Sequence, residues 1–243
     1  MKILITNDDG ISAVGIKLLA EWAKTLCGGN NEITVVAPKV EQSGKSHAID
    51  FIHPVEIKEV PLLDGVTAYS MDSTPADCVR FGFFGLKEQY DLVLSGINHG
   101  VNLGADIVYS GTVGAIFEAA RNNVPAIALS SFPNEEEEAA KYLDRVFAYV
   151  KEKRLFEDKL LFNVNIPSDP KGIKMTYQGS PYFSDRFIKT DGDIYEQEGE
   201  PIPDVCPNDP HRDTVAILQG YITVTPLLST RTDMALFEKY KGE

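Results

Sequence analysis

Short, unbroken apolar runs alternate along this chain with longer stretches whose apolar residues recur at helical spacing. Ile3-Leu4-Ile5, Leu92-Val93-Leu94 and Val124 to Leu129 are runs of the first kind, and Ile33 to Ala37 and Leu160 to Ile166 join them with only Thr34 in the one and Asn163 and Asn165 in the other interrupting. A strand covered on both faces of a parallel sheet reads this way, so each run predicts a buried strand. Between the first two, Val14 to Cys27 carries Ile16, Leu19, Ala20, Ala23 and Leu26 on one helical face, and Gly28-Gly29-Asn30-Asn31 stops it. The result is a βαβ unit, which calls for a parallel sheet with a right-handed crossover. Ser73-Thr74-Pro75 predicts a second helix start, a hydroxyl cap followed by proline, with Ala76, Val79, Arg80 and Phe83 continuing it. Ser110-Gly111-Thr112 opens an apolar helix through Ile116, Phe117, Ala119 and Ala120, and another helix is expected after Leu129 as far as about Lys151. Ile49 to Ser70 predicts β structure with turns near His53-Pro54 and Asp64-Gly65.

Beyond Pro170 the pattern changes. Tyr177 to Pro210 is polar and rich in turn residues, with a charged, hairpin-like segment from Asp185 to Glu200. Gly220 to Leu227 reads as a strand and Asp233 to Tyr240 as a terminal helix. The expectation is one domain of 243 residues, an α/β core over 1–170 with a β-rich extension over 171–243.

Composition narrows the possible partners. The chain is 43% hydrophobic and 24% charged, ordinary for a soluble globular protein. Its net charge of −13 argues against gripping a nucleic-acid backbone, which needs a basic surface. Small phosphorylated substrates stay open, because a metal ion can neutralise their charge locally. The acidic run Glu135 to Glu138 falls where a helix begins and is expected to be solvated there. Cys27, Cys78 and Cys206 are too few and too far apart for a disulfide framework or a zinc site, which points to a reducing, cytoplasmic setting. His47, His53, His99 and His211 form no zinc pattern either. Neither a signal peptide nor a membrane span is expected.

Candidate chemistry gathers at the strand ends, where open α/β sheets bind their ligands. The first strand runs into Asp8-Asp9-Gly10, two adjacent carboxylates that a divalent cation would stabilise together. The second opens into a polar loop presenting Ser43 and Ser46, and the strand ending at Ser95 into a Gly- and Asn-rich loop carrying Asn98. Carboxylates plus neutral oxygens suit hard cations such as Mg²⁺, Mn²⁺ or Ca²⁺. Ser110-Gly111-Thr112 at a helix start offers free N–H groups and hydroxyls, a natural phosphate cradle. A metal facing a phosphate cradle points to phosphoryl-group hydrolysis. Gly10 and Gly15 alone do not make a dinucleotide fingerprint, so no such cofactor is expected. Gly44-Lys45-Ser46 is not a Walker loop, since its first glycine would fall at Lys39 and no helix pattern follows.

Taken in order, Asn7-Asp8-Asp9-Gly10, Ala37-Pro38 with Ser43-Gly44, Thr74 to Val79, Ser95-Gly96-Ile97-Asn98, Asn102-Leu103-Gly104, Tyr109 to Val113, Asn163 to Pro167 and Asp213 with Gly220 to Leu227 resemble one family across nearly the whole chain. It is the stationary-phase survival protein SurE family, metal-dependent nucleoside monophosphate phosphatases. The resemblance implies a Rossmann-like, mostly parallel sheet sandwiched by helices, with a β-rich C-terminal extension. It implies one divalent metal ion per subunit, Mg²⁺ or Mn²⁺, held by Asp8, Asp9, Ser43 and Asn98, with the two aspartates catalytic. It also implies phosphate contacts from Asn102, Ser110, Gly111 and Thr112, and a homodimer or homotetramer built through C-terminal elements. Ser73 stands where the family usually has glycine, and the tail after Leu227 is short. Two rivals are weaker. A phospho-aspartate phosphatase needs a second aspartate where Gly10 stands. A non-catalytic, metal- or nucleotide-binding signalling module of the receiver type needs an aspartate at a later strand end, and those ends carry Ser95-Gly96 and Ser130-Ser131.

Overall fold

The computed structural model describes residues 1–158 and 160–242. In chain order its elements begin β1 (Lys2–Thr6), α1 (Val14–Thr25), β2 (Glu32–Pro38), β3 (Ile57–Glu59), β4 (Val66–Met71), α2 (Pro75–Arg80), β5 (Leu92–His99) and α3 (Gly111–Arg121). They continue with β6 (Ala126–Ser131), α4 (Glu136–Ala140), α5 (Leu143–Glu152), α6 (Leu155–Asp158), β7 (Leu161–Ile166) and β8 (Gly172–Met175). The last are β9 (Arg186–Asp191), β10 (Ile194–Glu198), α7 (Asp213–Leu218), β11 (Tyr221–Leu227) and α8 (Met234–Tyr240).

Among the described residues the main sheet has nine strands in the order β3-β4-β2-β1-β5-β6-β7-β11-β8. From β4 to β7 every neighbouring pair is parallel. β3 and β11 run against their neighbours β4 and β7. The chain winds outward from β1 through β2 in one direction and from β5 through β6 and β7 in the other. The order therefore reverses between β1 and β5, where doubly wound sheets open their crevice. This is the mixed, mostly parallel α/β fold expected from the apolar runs.

Alternation within β1 explains the two layers. Ile3 and Ile5 face one core with Ile16, Leu19 and Ala20 of α1, and α4 and α5 extend that layer. Leu4 faces the other, with Cys78 and Val79 of α2 and Val113 and Ile116 of α3. All three side chains of β1 are fully buried, each worth about 1.5–3 kcal/mol, so the two aspartates that follow leave a firmly anchored strand.

The structure corrects several sequence-based expectations. Residues 49–56 form no strand: Phe51 and Ile52 are exposed, and only β3 and β4 pair, on either side of the expected Asp64-Gly65 turn. The helix expected as far as Lys151 is split into α4 and α5. The first helix ends at Thr25, with a 3-10 turn over Leu26–Gly28. The loop expected after Ser95 is in part strand, since β5 continues to His99 across an irregularity between Ser95 and Asn98. β8 and β11, both beyond residue 170, join the main sheet, with β11 inserted between β7 and β8. What leaves the sheet is the antiparallel β9–β10 hairpin, whose residues are exposed throughout.

Candidate active site

The turn after β1 is built by Asn7. Its side-chain oxygen accepts from the Gly10 N–H at 3.2 Å and its amide donates to the Gly10 carbonyl at 2.9 Å. Gly10 takes φ +99°, a backbone that side-chain-bearing residues rarely adopt. Between these fixed points stand Asp8, which is 4% exposed, and the half-buried Asp9.

Main-chain hydrogen bonds bring the other loops to this turn. The Gln42 N–H donates to the Asp8 carbonyl at 2.7 Å, which places Ser43 beside the pair. The Ser43 hydroxyl donates to Glu41 at 2.7 Å, so its oxygen keeps lone pairs for another partner. From β5, the His99 N–H donates to Asp9 Oδ2 at 3.1 Å. The Asn98 amide donates to the Gly100 carbonyl at 2.8 Å, leaving its carbonyl oxygen for an electrophile. The N-terminus of α1 packs directly on this loop: a Cβ on Gly15 would lie 1.9 Å from the Ile97 carbonyl oxygen, so only glycine fits.

A cleft of about 730 Å³ opens here, lined at one end by Asp8, Ser43, Asn98, Asn102 and Ser110. Asp9 lines an adjoining recess with Glu41, His99 and Glu136. Burial pushes the Asp8 carboxyl up to about 6, against the hydrogen bond from Thr112, and the charge of Asp9 adds to the rise. Burial raises Asp9 as well, opposed by the His99 N–H. Two adjacent carboxylates, both made reluctant to ionise, form a site short of positive charge. A divalent cation fits that deficit, and the donors around it are all hard oxygens. Among the described residues no group of three or more His, Cys, Asp or Glu assembles as a metal site, so two carboxylates with serine and asparagine oxygens remain the candidate set.

The Ser110–Thr112 segment departs from the expectation that its hydroxyls face a phosphate. Thr112 is fully buried, and its hydroxyl donates to Asp8 Oδ1 at 2.5 Å. Gly111 lies against the same carboxylate, where an added Cβ would come within 3.0 Å of Asp8 Cβ. Ser110 caps α3, accepting from the Val113 N–H at 3.1 Å, and it does line the cleft. Of the three, Ser110 lines the cleft, while Thr112 supports Asp8. Asn102 also reaches the cleft, held by its backbone: Asn163 and Asn165 both donate to its carbonyl at 2.8 Å, and its N–H donates to Asn165 Oδ1.

The sequence profile of the family described as Survival protein SurE matches residues 3–185. The chain belongs to the SurE family. A protein of Thermoanaerobacter pseudethanolicus named 5'-nucleotidase SurE is 41% identical over 237 residues, covering 93% of this chain and 92% of its own. One of Desulforamulus reducens with the same name is 40% identical, covering 100% and 98%. The crystal structure of the SurE protein from Aquifex aeolicus superposes with a TM-score of 0.81 at 34% identity, over 100% of this chain and 99% of that one.

Within this SurE-family chain, sequence reasoning passed over several residues that shape the site. Asn163 and Asn165 anchor Asn102, and their signal was visible as two amides inside an otherwise apolar strand. Glu136 is buried, not solvated, and pairs with His99 Nδ1 at 2.5 Å, a contact across 37 positions with no local signature. Asp77, in the first turn of α2, is another: its Oδ2 accepts from the Asp50 N–H and the Ser73 hydroxyl, both at 2.7 Å, tying down the loop that follows Ser46. Ser73 has no positive φ, so the departure from glycine is absorbed without strain.

Proposed function

We propose that this protein is a metal-dependent 5'-nucleotidase that hydrolyses nucleoside monophosphates to nucleoside and phosphate. The observation that carries the reading is the electron-rich Asp8–Asp9 pair at the sheet's switch point, with buried Asp8 opening on the same cleft as Ser110 at the N-terminus of α3 and Asp9 on the adjoining recess. The names of full-length relatives at about 40% identity support the same reaction.

In this reading Asp8, Asp9, Ser43 and Asn98 hold one Mg²⁺ or Mn²⁺ ion, and a bound divalent cation supplies a Lewis acid that draws charge from a phosphoryl oxygen. The protein's part is positioning and charge stabilisation. Thr112 fixes the orientation of Asp8 through its hydroxyl. The amino end of α3, an 11-residue helix, sets its positive dipole end against Asp8 and the adjoining cleft, with Gly111 allowing Asp8 to approach closely. Ser110 uses its oxygen as a helix cap, so its proton is free to donate to a phosphate oxygen. Asn102 contributes an amide from a backbone clamped at both its N–H and its carbonyl. Such donors act where charge develops and need no rearrangement during the reaction.

The proposed protein is a cytoplasmic homodimer or homotetramer. Its three cysteines are free, in keeping with a reducing compartment. Phe187 and Ile194 on the hairpin and Leu236 and Phe237 on α8 are all more than half exposed and so are available to a second subunit. No described helix is long and apolar enough to cross a membrane.

The test is phosphate release from a panel of nucleoside monophosphates, in EDTA and then with Mg²⁺ or Mn²⁺ restored. Release that needs the metal is the expected result. No release from any nucleotide with any metal would overturn the proposal.

A further inference from the structure

The cleft is larger than a phosphate requires. At about 730 Å³ it falls in the range that accommodates a whole nucleotide, and it continues from Asp8 and Ser110 to the root of the hairpin arm. There it is walled by two consecutive aromatic residues with different surroundings. Tyr182 is 7% exposed and packs in a small apolar cluster with Leu103 and Ile217. Phe183 is 40% exposed, faces the cleft, and rests edge-on against Tyr182 with ring centroids 4.9 Å apart.

This aromatic step is held by one carboxylate. Asp106 Oδ2 accepts from the Tyr182 N–H at 2.7 Å and from the Phe183 N–H at 2.9 Å. Asp106 belongs to the 3-10 turn Gly104–Tyr109, which leads directly into Ser110. A single turn therefore sets the separation between the phosphate end of the cleft and the phenyl ring. The turn is itself locked to the arm: a Cβ on Gly104 would lie 2.0 Å from the Ser180 carbonyl, and Asp213 accepts from the N–H groups of both Gly104 and Gly179. On the same cleft, the Gln197 amide of the hairpin donates to Asp185 Oδ1 at 3.4 Å, so the lining that carries the ring also carries a donor and an acceptor.

We infer that Phe183 is the surface on which the base of the nucleotide stacks, and that Asp106 is the positioning residue holding it at one nucleoside's reach from the phosphate site. An exposed ring on a cleft wall, fixed by two backbone hydrogen bonds, pre-pays the ordering that stacking otherwise costs. Every base has a π-face, so such a wall accepts purines and pyrimidines alike, and discrimination among them falls to edge contacts such as Gln197. The inference deepens the nucleotidase reading and rests on it.

Steady-state kinetics on the full chain with saturating Mn²⁺ test it, comparing AMP with ribose 5-phosphate, which offers the same ester without a base. Phe183→Ala is expected to raise KM for AMP about tenfold, the worth of one stacking contact, with kcat unchanged and ribose 5-phosphate unaffected. Asp106→Ala should show the same base-dependent rise, and Asp106→Asn, which keeps an acceptor oxygen, should restore KM. Equal effects of Phe183→Ala on both substrates, or none on either, would overturn the inference. So would a wild-type protein that uses ribose 5-phosphate as well as AMP, and that outcome leaves the phosphatase reading standing. A wild-type protein that hydrolyses neither removes both.

Discussion

Replacing Thr112 with valine keeps the shape of a fully buried side chain and deletes the hydroxyl that donates to Asp8 at 2.5 Å. A hydrogen bond to a charged acceptor is worth about 1.5–3 kcal/mol, and groups that orient a metal ligand typically change metal affinity about 10- to 100-fold. Thr112 does not line the cleft, so the loss should fall on the metal and not on the substrate. In Thr112→Val the metal concentration giving half-maximal phosphate release should rise about tenfold or more, with kcat largely recovered at saturating metal. Titrating Mn²⁺ into EDTA-stripped protein at several AMP concentrations separates the two effects. An unchanged metal curve with a raised KM for AMP would refute the reasoning, because it would put the hydroxyl on the substrate phosphate.

Two further expectations follow from the same carboxylate. Asp8→Asn should abolish metal-dependent turnover while stabilising the protein toward urea in EDTA at pH 7; a rise in proton affinity from 3.8 to about 6 corresponds to about 3 kcal/mol of burial penalty removed. That penalty is absent below the unfolded value, grows between 3.8 and about 6 and is complete above, so the stability gap between variant and wild type should shrink as pH falls from 7 to 5. A wild-type protein more stable than the variant in EDTA at pH 7 would show that Asp8 carries no such penalty.

The parallel core was legible because strands buried on both faces are mostly apolar, as Ile3-Leu4-Ile5 of β1 and Ala126 to Leu129 of β6 are. The strand-end rule then led to Asp8, Asp9 and Asn98, since the chemistry of an open α/β sheet lies where its strands stop. Orientation was not legible. A hydroxyl at a helix start reads the same whether it meets a phosphate, a cap or a neighbouring carboxylate, and only packing against β1 turns Thr112 toward Asp8. Residues 49–56 look like strand by composition, yet no neighbouring strand pairs with them, and Asp77 holds the segment as loop instead. The insertion of β11 between β7 and β8 is a tertiary choice that no local pattern encodes. The polar strand β7 was the missed opportunity: Asn163 and Asn165 on an otherwise apolar run must bond to something, and both reach the Asn102 carbonyl.

Whether one cation binds at the end of β1 is read directly from an anomalous difference map of crystals grown with Mn²⁺. It should show a single strong peak in contact with oxygens of Asp8, Asp9, Ser43 and Asn98. No peak at those four residues under saturating Mn²⁺, or a peak only elsewhere on the chain, would contradict the proposed metal site.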